Sequence, residues 1–331
     1  MGDCNLVKHP RILVATDNLR DQINGVAITF KHLDAMSKLD GFEMFFVDPS
    51  QFRHFAFPSY PEVKLAFPYG IGRKIQDIRP DYIHIATEGP IGLATKLYCD
   101  RNGLRYNTSY HTKFPEYMKS LHGIPLSWTY AYLRWFHKHS GVVMTTTRSM
   151  KSLLIENGFD GRIVEWTRGV DVSQFDGLRR NPDDSVLFVG RVSKEKNLEE
   201  LLKHQDKYNI VIVGDGPDRK ALEQKYAKAN FVGYKTGKEL FQYYLNASVF
   251  CFPSKTDTFG IVMVEAMSAG TPVAAFPVIG PIDIVENGKT GFLEEDLETA
   301  IDKCLSLGRV QSKVWSWEEC WRIFKKNLIL R

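Results

Sequence analysis

Cysteine is scarce: the 331 residues hold five, Cys4, Cys99, Cys251, Cys304 and Cys320, odd in number, widely spaced and free of any Cys-x-x-Cys. That pattern argues against a disulfide framework and points to a reducing compartment. Long apolar runs are missing as well. None approaches the roughly 18 residues of a spanning helix, and no signal-like segment opens the sequence, so a soluble or peripheral cytoplasmic protein is expected. Charge of one sign is not in strong excess. A formal net charge of +4, without helix-turn-helix or zinc-finger spacing, gives no footprint for nucleic acid, which is not expected as a partner. An Asp-x-Asp metal motif next to a strand end is absent too. Met1-Gly2-Asp3-Cys4 is a poor match to an acylation signal, because Leu6 stands where Ser or Thr is required.

What is present is a repeating unit. Residues 11–16, 42–47, 82–86, 106–110 and 142–146 read as strands separated by helical segments, and a second series runs from about 186 through 210–213, 230–232, 249–252 and 273–275. Alternation of this kind predicts α/β architecture, with parallel sheets covered by helices on both faces. A chain of 331 residues is also long for one core. We therefore expect a first Rossmann-like domain over 1–168, a Gly-, Asp-, Arg- and Pro-rich linker over 169–184, a second domain over 185–312, and a closing segment over 313–331 carrying a helix at 317–330.

The densest chemistry lies in the second half. Residues 248–252 read as a buried strand that Pro253 stops, and Gly260 opens a helix with apolar Ile261, Val262, Val264, Ala266 and Met267. Asp257 and Glu265 bracket this strand-to-helix turn. The backbone N–H groups of Phe259, Gly260 and Ile261, after Thr258, would point out of the helix N-terminus, where an anion such as phosphate is favoured. Asp257 is then placed to accept from sugar hydroxyls and Glu265 to hold both hydroxyls of a ribose; an acidic cap followed by a solvated Glu is the plainer alternative. A second buried strand runs into Gly190 and Arg191, with Lys196 five residues later. A guanidinium fork and an ammonium suit a diphosphate there, and solvated surface cations are the other reading.

Gly190-Arg191 with Glu195-Lys196-Asn197, Val213-Gly214-Asp215-Gly216-Pro217, Asp257 through Glu265, and Gly270-Thr271-Pro272-Val273 together resemble the donor domain of retaining GT-B glycosyltransferases of family four, the group 1 glycosyltransferases. Asn24-Gly25-Val26, Thr87-Glu88-Gly89-Pro90, Ser109-Tyr110-His111-Thr112 and Arg168-Gly169-Val170-Asp171 resemble the subgroup of bacterial α-mannosyltransferases and sulfoquinovosyltransferases. Many members carry Glu at the position of Asp257, and the shorter carboxylate bears on which hydroxyl is held. The resemblance implies two doubly wound domains facing across a cleft, with the final helix crossing back to the first. It implies transfer of a hexose, mannose from GDP-mannose or a glucosyl or sulfoquinovosyl group from a UDP-sugar, to a lipid or glycan hydroxyl, in glycolipid or polysaccharide synthesis. Retention, independence of metal and the absence of a cofactor beyond the nucleotide-sugar substrate come from the same source.

Several residues of the first half carry two readings each. By resemblance His111 lies beside the anomeric centre and hydrogen-bonds the sugar; a lone His is otherwise a structural residue. Glu88 either orients the acceptor hydroxyl or caps the helix after Gly89 and Pro90. Gly25 reads as a close-approach glycine in the first loop. Arg168 either reaches the acceptor side or pairs with Asp171. With Arg191, Lys196 and a helix N-terminus neutralising a diphosphate leaving group, little base catalysis is needed. A dinucleotide oxidoreductase is disfavoured, since Arg219 replaces the third glycine after Gly214-Asp215-Gly216. A nucleotide-sugar hydrolase or epimerase of the same fold is the nearer alternative.

From Arg101 to Ile155 eight Lys or Arg (Arg101, Arg105, Lys113, Lys119, Arg134, Lys138, Arg148, Lys151) face the single acid Glu116, with Trp128, Tyr130, Tyr132, Trp135 and Phe136 interleaved. Basic heads beside aromatic rings suit an anionic membrane surface. Aromatics turned into the core, with solvated cations, are the alternative.

Overall fold

Most of the apolar runs bounded by Gly, Pro and polar residues become strands, and the full set is β1 (Arg11–Ala15), β2 (Glu43–Val47), β3 (Arg53–Phe57), β4 (Tyr60–Phe67), β5 (Tyr82–Ile85), β6 (Asn107–Tyr110), β7 (Val143–Thr145), β8 (Ile163–Glu165), β9 (Ser185–Val189), β10 (Asn209–Val213), β11 (Asn230–Gly233), β12 (Val249–Phe252), β13 (Val273–Ala275) and β14 (Gly291–Leu293) among the described residues. They are seen in a computed structural model that describes residues 9–19, 22, 24–57 and 60–331. Residues 1–6, with Cys4 and the poor acylation match, lie outside the described residues. The chain divides into two units. The first takes residues up to Thr146, Lys151–Arg168 and Trp317–Arg331, and the second Thr147–Met150 and Gly169–Ser316.

In the first unit six parallel strands are ordered β2-β1-β5-β6-β7-β8. Ile12, Leu13, Val14, Ile83 and Ile85 are fully buried, as strands covered on both faces must be. An antiparallel hairpin, β3 with β4, was not legible in the sequence, nor was the three-residue β8. The helix Trp317–Lys326 buries Trp317, Cys320, Trp321 and Phe324, the i, i+3, i+4, i+7 stripe of an amphipathic helix. It docks on the helix Gly25–Leu39. Trp321 Nε1 donates to Asp40 at 2.8 Å and Lys325 Nζ at 2.6 Å, and Trp317 stacks on His32 with ring centroids 4.2 Å apart.

The second unit repeats the plan with order β11-β10-β9-β12-β13-β14. Alternate residues of each strand feed opposite faces. Leu187, Val189, Val211, Val213 and Phe250 pack into one cluster, while Val186, Phe188, Ile210, Ile212 and Val249 pack into the other. The segment expected as a linker, 169–184, belongs to this unit, which corrects the boundary. Its 3-10 turn Val172–Phe175 sets the Phe175 ring 4.8 Å from Phe241, and Gln242 Nε2 and Lys238 Nζ donate to the carbonyls of Arg179 and Asp176. Anchored apolar side chains and satisfied carbonyls hold the stretch to the second core. Among the described residues no helix is long and apolar enough to cross a membrane.

Candidate active site

In the second unit β9 and β12 are neighbours, yet β9 leads on to β10 on one side and β12 to β13 on the other. That divergence is the switch point outside which open α/β sheets bind ligands. The two loops leaving it are stitched together. Asn197, in the left-handed region at φ 55°, donates from Nδ2 to Pro253 O at 3.2 Å, and the hydroxyls of Ser254 and Thr256 reach Glu195 O at 3.4 Å. Gly190 N donates to Val213 O and Val192 N to Asp215 O, which carries half-buried Arg191 over the sheet edge. A Cβ on Gly214 would stand 1.8 Å from Gly190 O, so only glycine fits.

Lys196 and Asp257, read from sequence as separate phosphate and sugar contacts, meet directly: Nζ lies 2.7 and 2.8 Å from the two carboxylate oxygens. The pair is partly exposed, so each partner retains a face toward solvent. Beyond it Thr258 and Phe259 are buried, and Gly260 turns the chain at φ 77° into the helix Ile261–Ser268. A Gly260 Cβ would meet Met263 Cε at 2.7 Å and Phe252 Cζ at 2.9 Å. Glu265 follows one turn later. Tyr244, itself fully buried, donates its hydroxyl to Glu265 Oε2 at 2.7 Å. Burial pushes the Glu265 carboxyl up to about 7, against the lowering effect of that bond.

In the first unit the same kind of switch point falls between β1 and β5. Asp17, which sequence reasoning missed, links their two loops. Its carboxylate accepts from Ile91 N at 2.8 Å, from Gly92 N at 3.4 Å and from the Thr87 hydroxyl at 2.7 Å. Asp17 therefore caps the helix Pro90–Arg101, the role offered to Glu88. Burial raises its carboxyl above the usual range although those bonds oppose it. Glu88 instead approaches the buried His137, with Oε1 to Nε2 at 3.4 Å, while His137 Nδ1 lies 2.7 Å from the Thr108 hydroxyl. Gly25 is the first residue of its helix, behind the Asn24 cap, and no described atom lies within 4 Å of where its Cβ would stand.

His111, just past β6, keeps partial exposure. Arg168 does not open onto a surface as an acceptor contact would. It is buried and bonds His111 Nδ1 at 3.0 Å, Trp166 O at 2.7 Å and Thr167 O at 2.9 Å. Burial first, then the Arg168 charge and His84, hold the His111 imidazole well below its usual range.

The aromatic run of 128–136 is split by the helix Leu126–His137. Tyr130 and Phe136 are buried and the Tyr132 hydroxyl bonds Glu88 O. Trp128 and Trp135 are exposed, at 70% and 45%.

Comparison with known proteins identifies the family and the fold. The profile described as Glycosyltransferase Family 4 matches residues 36–174, and that of Glycosyl transferases group 1 matches 171–309. A GDP-mannose-dependent alpha-mannosyltransferase of Mycobacterium tuberculosis is 31% identical over 72% of this chain and 66% of its own length. The sulfoquinovosyl transferase of Arabidopsis thaliana is 30% identical over 77% of this chain and 55% of its own. Thus the chain spans about two thirds or less of these two relatives. The structure of sucrose-phosphate synthase from Thermosynechococcus elongatus superposes with a TM-score of 0.77 at 17% identity, covering 96% of this chain and 98% of that one. The protein belongs to the family four, group 1 glycosyltransferases, and its two parallel-sheet units are those of the GT-B fold.

Proposed function

We propose that this chain moves a hexose, mannose from GDP-mannose, to a hydroxyl of a lipid or glycan acceptor, with retention of configuration, without a metal or further cofactor, on the cytoplasmic side of the cell. The observation that carries the reading is the second-unit switch point, where Arg191, the Lys196–Asp257 pair and the Gly260 helix turn converge on one sheet edge. The resemblance to a GDP-mannose-dependent enzyme at 31% identity supports the donor. In this reading Arg191, Lys196 and the backbone from Thr258 to Ile261, with Gly190 as a close-approach position, hold the diphosphate, and Gly25 is the close-approach position of the first unit's own first loop. Glu265 holds the ribose, and Asp257 orients the sugar and Lys196 together. His111 contacts the sugar, and Glu88 meets the acceptor. Neutralising the leaving diphosphate is the main catalytic contribution.

The plant relative favours a second reading, transfer of a sulfoquinovosyl or related group from a UDP-sugar. Nucleotide release from a panel of GDP- and UDP-sugars with lipid and glycan acceptors, with the anomeric configuration of the product read by NMR, separates the two. Arg191→Ala and Lys196→Ala each remove a charge-assisted contact worth about 1.5–3 kcal/mol in the ground state, and turnover is expected to fall by orders of magnitude. Folded variants with full activity, or an inverted product, overturn the proposal.

A further inference from the structure

Arg168 is a buried cation that donates to two carbonyls, bonds His111 and also meets the Cys320 side chain, and its guanidinium lies 4.4 Å over the Trp166 ring. Burying a charge is costly. The two carbonyl bonds use Nη1 and hold the turn after β8; they do not account for Nη2, which is spent on His111. A guanidinium has five donors and no acceptor. At 3.0 Å from Nη2, His111 Nδ1 must therefore be the ring nitrogen with the lone pair, and the ring proton must sit on Nε2. Charging the ring would put a second proton on Nδ1, aimed at a cation, and would break the bond at the same time. Ring packing fixes the orientation, with Trp166 at 5.6 Å and Phe30 at 6.4 Å from the His111 centroid.

We propose that Arg168 is a positioning residue that fixes His111 as the uncharged Nε2–H tautomer, so that the imidazole meets the transferred sugar as a hydrogen-bond donor and never as a base. The proposal rests on the functional reading above for what His111 meets; the tautomer itself does not depend on it. Among the described residues, Arg168 and His84 are charged or titratable groups that act on His111. His84 is fully buried, bonded to the Ser109 hydroxyl, and pushed down to about 3 by burial and then by Arg168, so it adds no proton near neutrality. The Cys320 side chain also interacts with Arg168.

The test is long-range proton–nitrogen NMR on the full chain labelled at histidine, with the His111 signals assigned by His111→Gln. The expected result is an Nε2–H ring that does not titrate between about pH 5 and 8. An Nδ1–H ring, or titration near the ordinary value, overturns the proposal. In Arg168→Met the ring should become a tautomer mixture that titrates, with kcat down roughly 10²-fold and nucleotide affinity unchanged. Arg168→Lys, which keeps a donor and a charge, should restore the tautomer and part of kcat. Equal loss in both variants with an unchanged His111 spectrum also overturns it. If the tautomer is as stated but wild type turns over no nucleotide sugar, the functional reading fails while the coupling stands.

Discussion

Glu265 is the residue whose charge state most affects donor binding. A neutral carboxyl accepts ribose hydroxyls less well than a carboxylate, and this one titrates near 7 because it is crowded out of water. Donor affinity should therefore rise as pH increases through about 7, read as KM for the nucleotide sugar. Tyr244→Phe removes the bond that favours the anion, so the midpoint should move upward and affinity at neutral pH should drop. The stability effect has the opposite sense. The folded protein binds a proton that the unfolded chain releases at its ordinary, lower pKa, so this group's stabilisation is complete below that value and is lost as pH climbs to about 7. Glu265→Gln should flatten the Tm-versus-pH profile over that window, by an amount on the order of 1–3 kcal/mol, while impairing donor binding. Asp257 and Glu265 stood out in the sequence because both lie on one turn. Asp17 did not, since its partners Thr87 and Ile91 are 70 and 74 residues away. The Lys196–Asp257 pair, 61 residues apart, likewise needed the pairing of β9 with β12 to be seen.

At the scale of elements, the strand-to-helix turn at Gly260 joins a left-handed backbone to a crowded Cβ position. Gly260→Ala places a Cβ at φ 77° against Met263 and Phe252. It should cost about 1–3 kcal/mol in denaturant unfolding and should weaken nucleotide binding more than the lost stability explains. The C-terminal helix gives a second test. Trp321 is buried and tied to Asp40, so Trp321→Ala should destabilise the first unit by about 3–5 kcal/mol, visible as an earlier transition in thermal unfolding. Central strands and this helix were legible because burial on both faces writes continuous apolar runs and a 3.6-residue stripe writes amphipathy. The β3–β4 hairpin carries exposed Phe55 and Phe67, and β8 and β14 are three residues each. Neither pattern marks a core strand.

At the scale of the whole molecule, we propose that the acceptor is met at a lipid surface. The expected aromatic belt is reduced by the structure to Trp128 and Trp135, on a helix face shared with exposed Arg134 and Lys138. Each cation near an anionic surface adds on the order of 1 kcal/mol. Co-sedimentation should require anionic vesicles, fade with salt, and weaken in the Trp128→Ala/Trp135→Ala double variant; no binding to any vesicle removes the physical basis for the idea. The return of residues 317–331 to the first unit also bears on how the protein is made. A ribosome delivers the second unit complete while the first still lacks a helix that covers Phe30, Trp166 and His84 through Phe324. Domains generally mature in the order of synthesis; here the half that emerges first is the last to finish. A released chain truncated before Trp317 should accordingly show a protease-resistant second unit and an open, chaperone-binding first one.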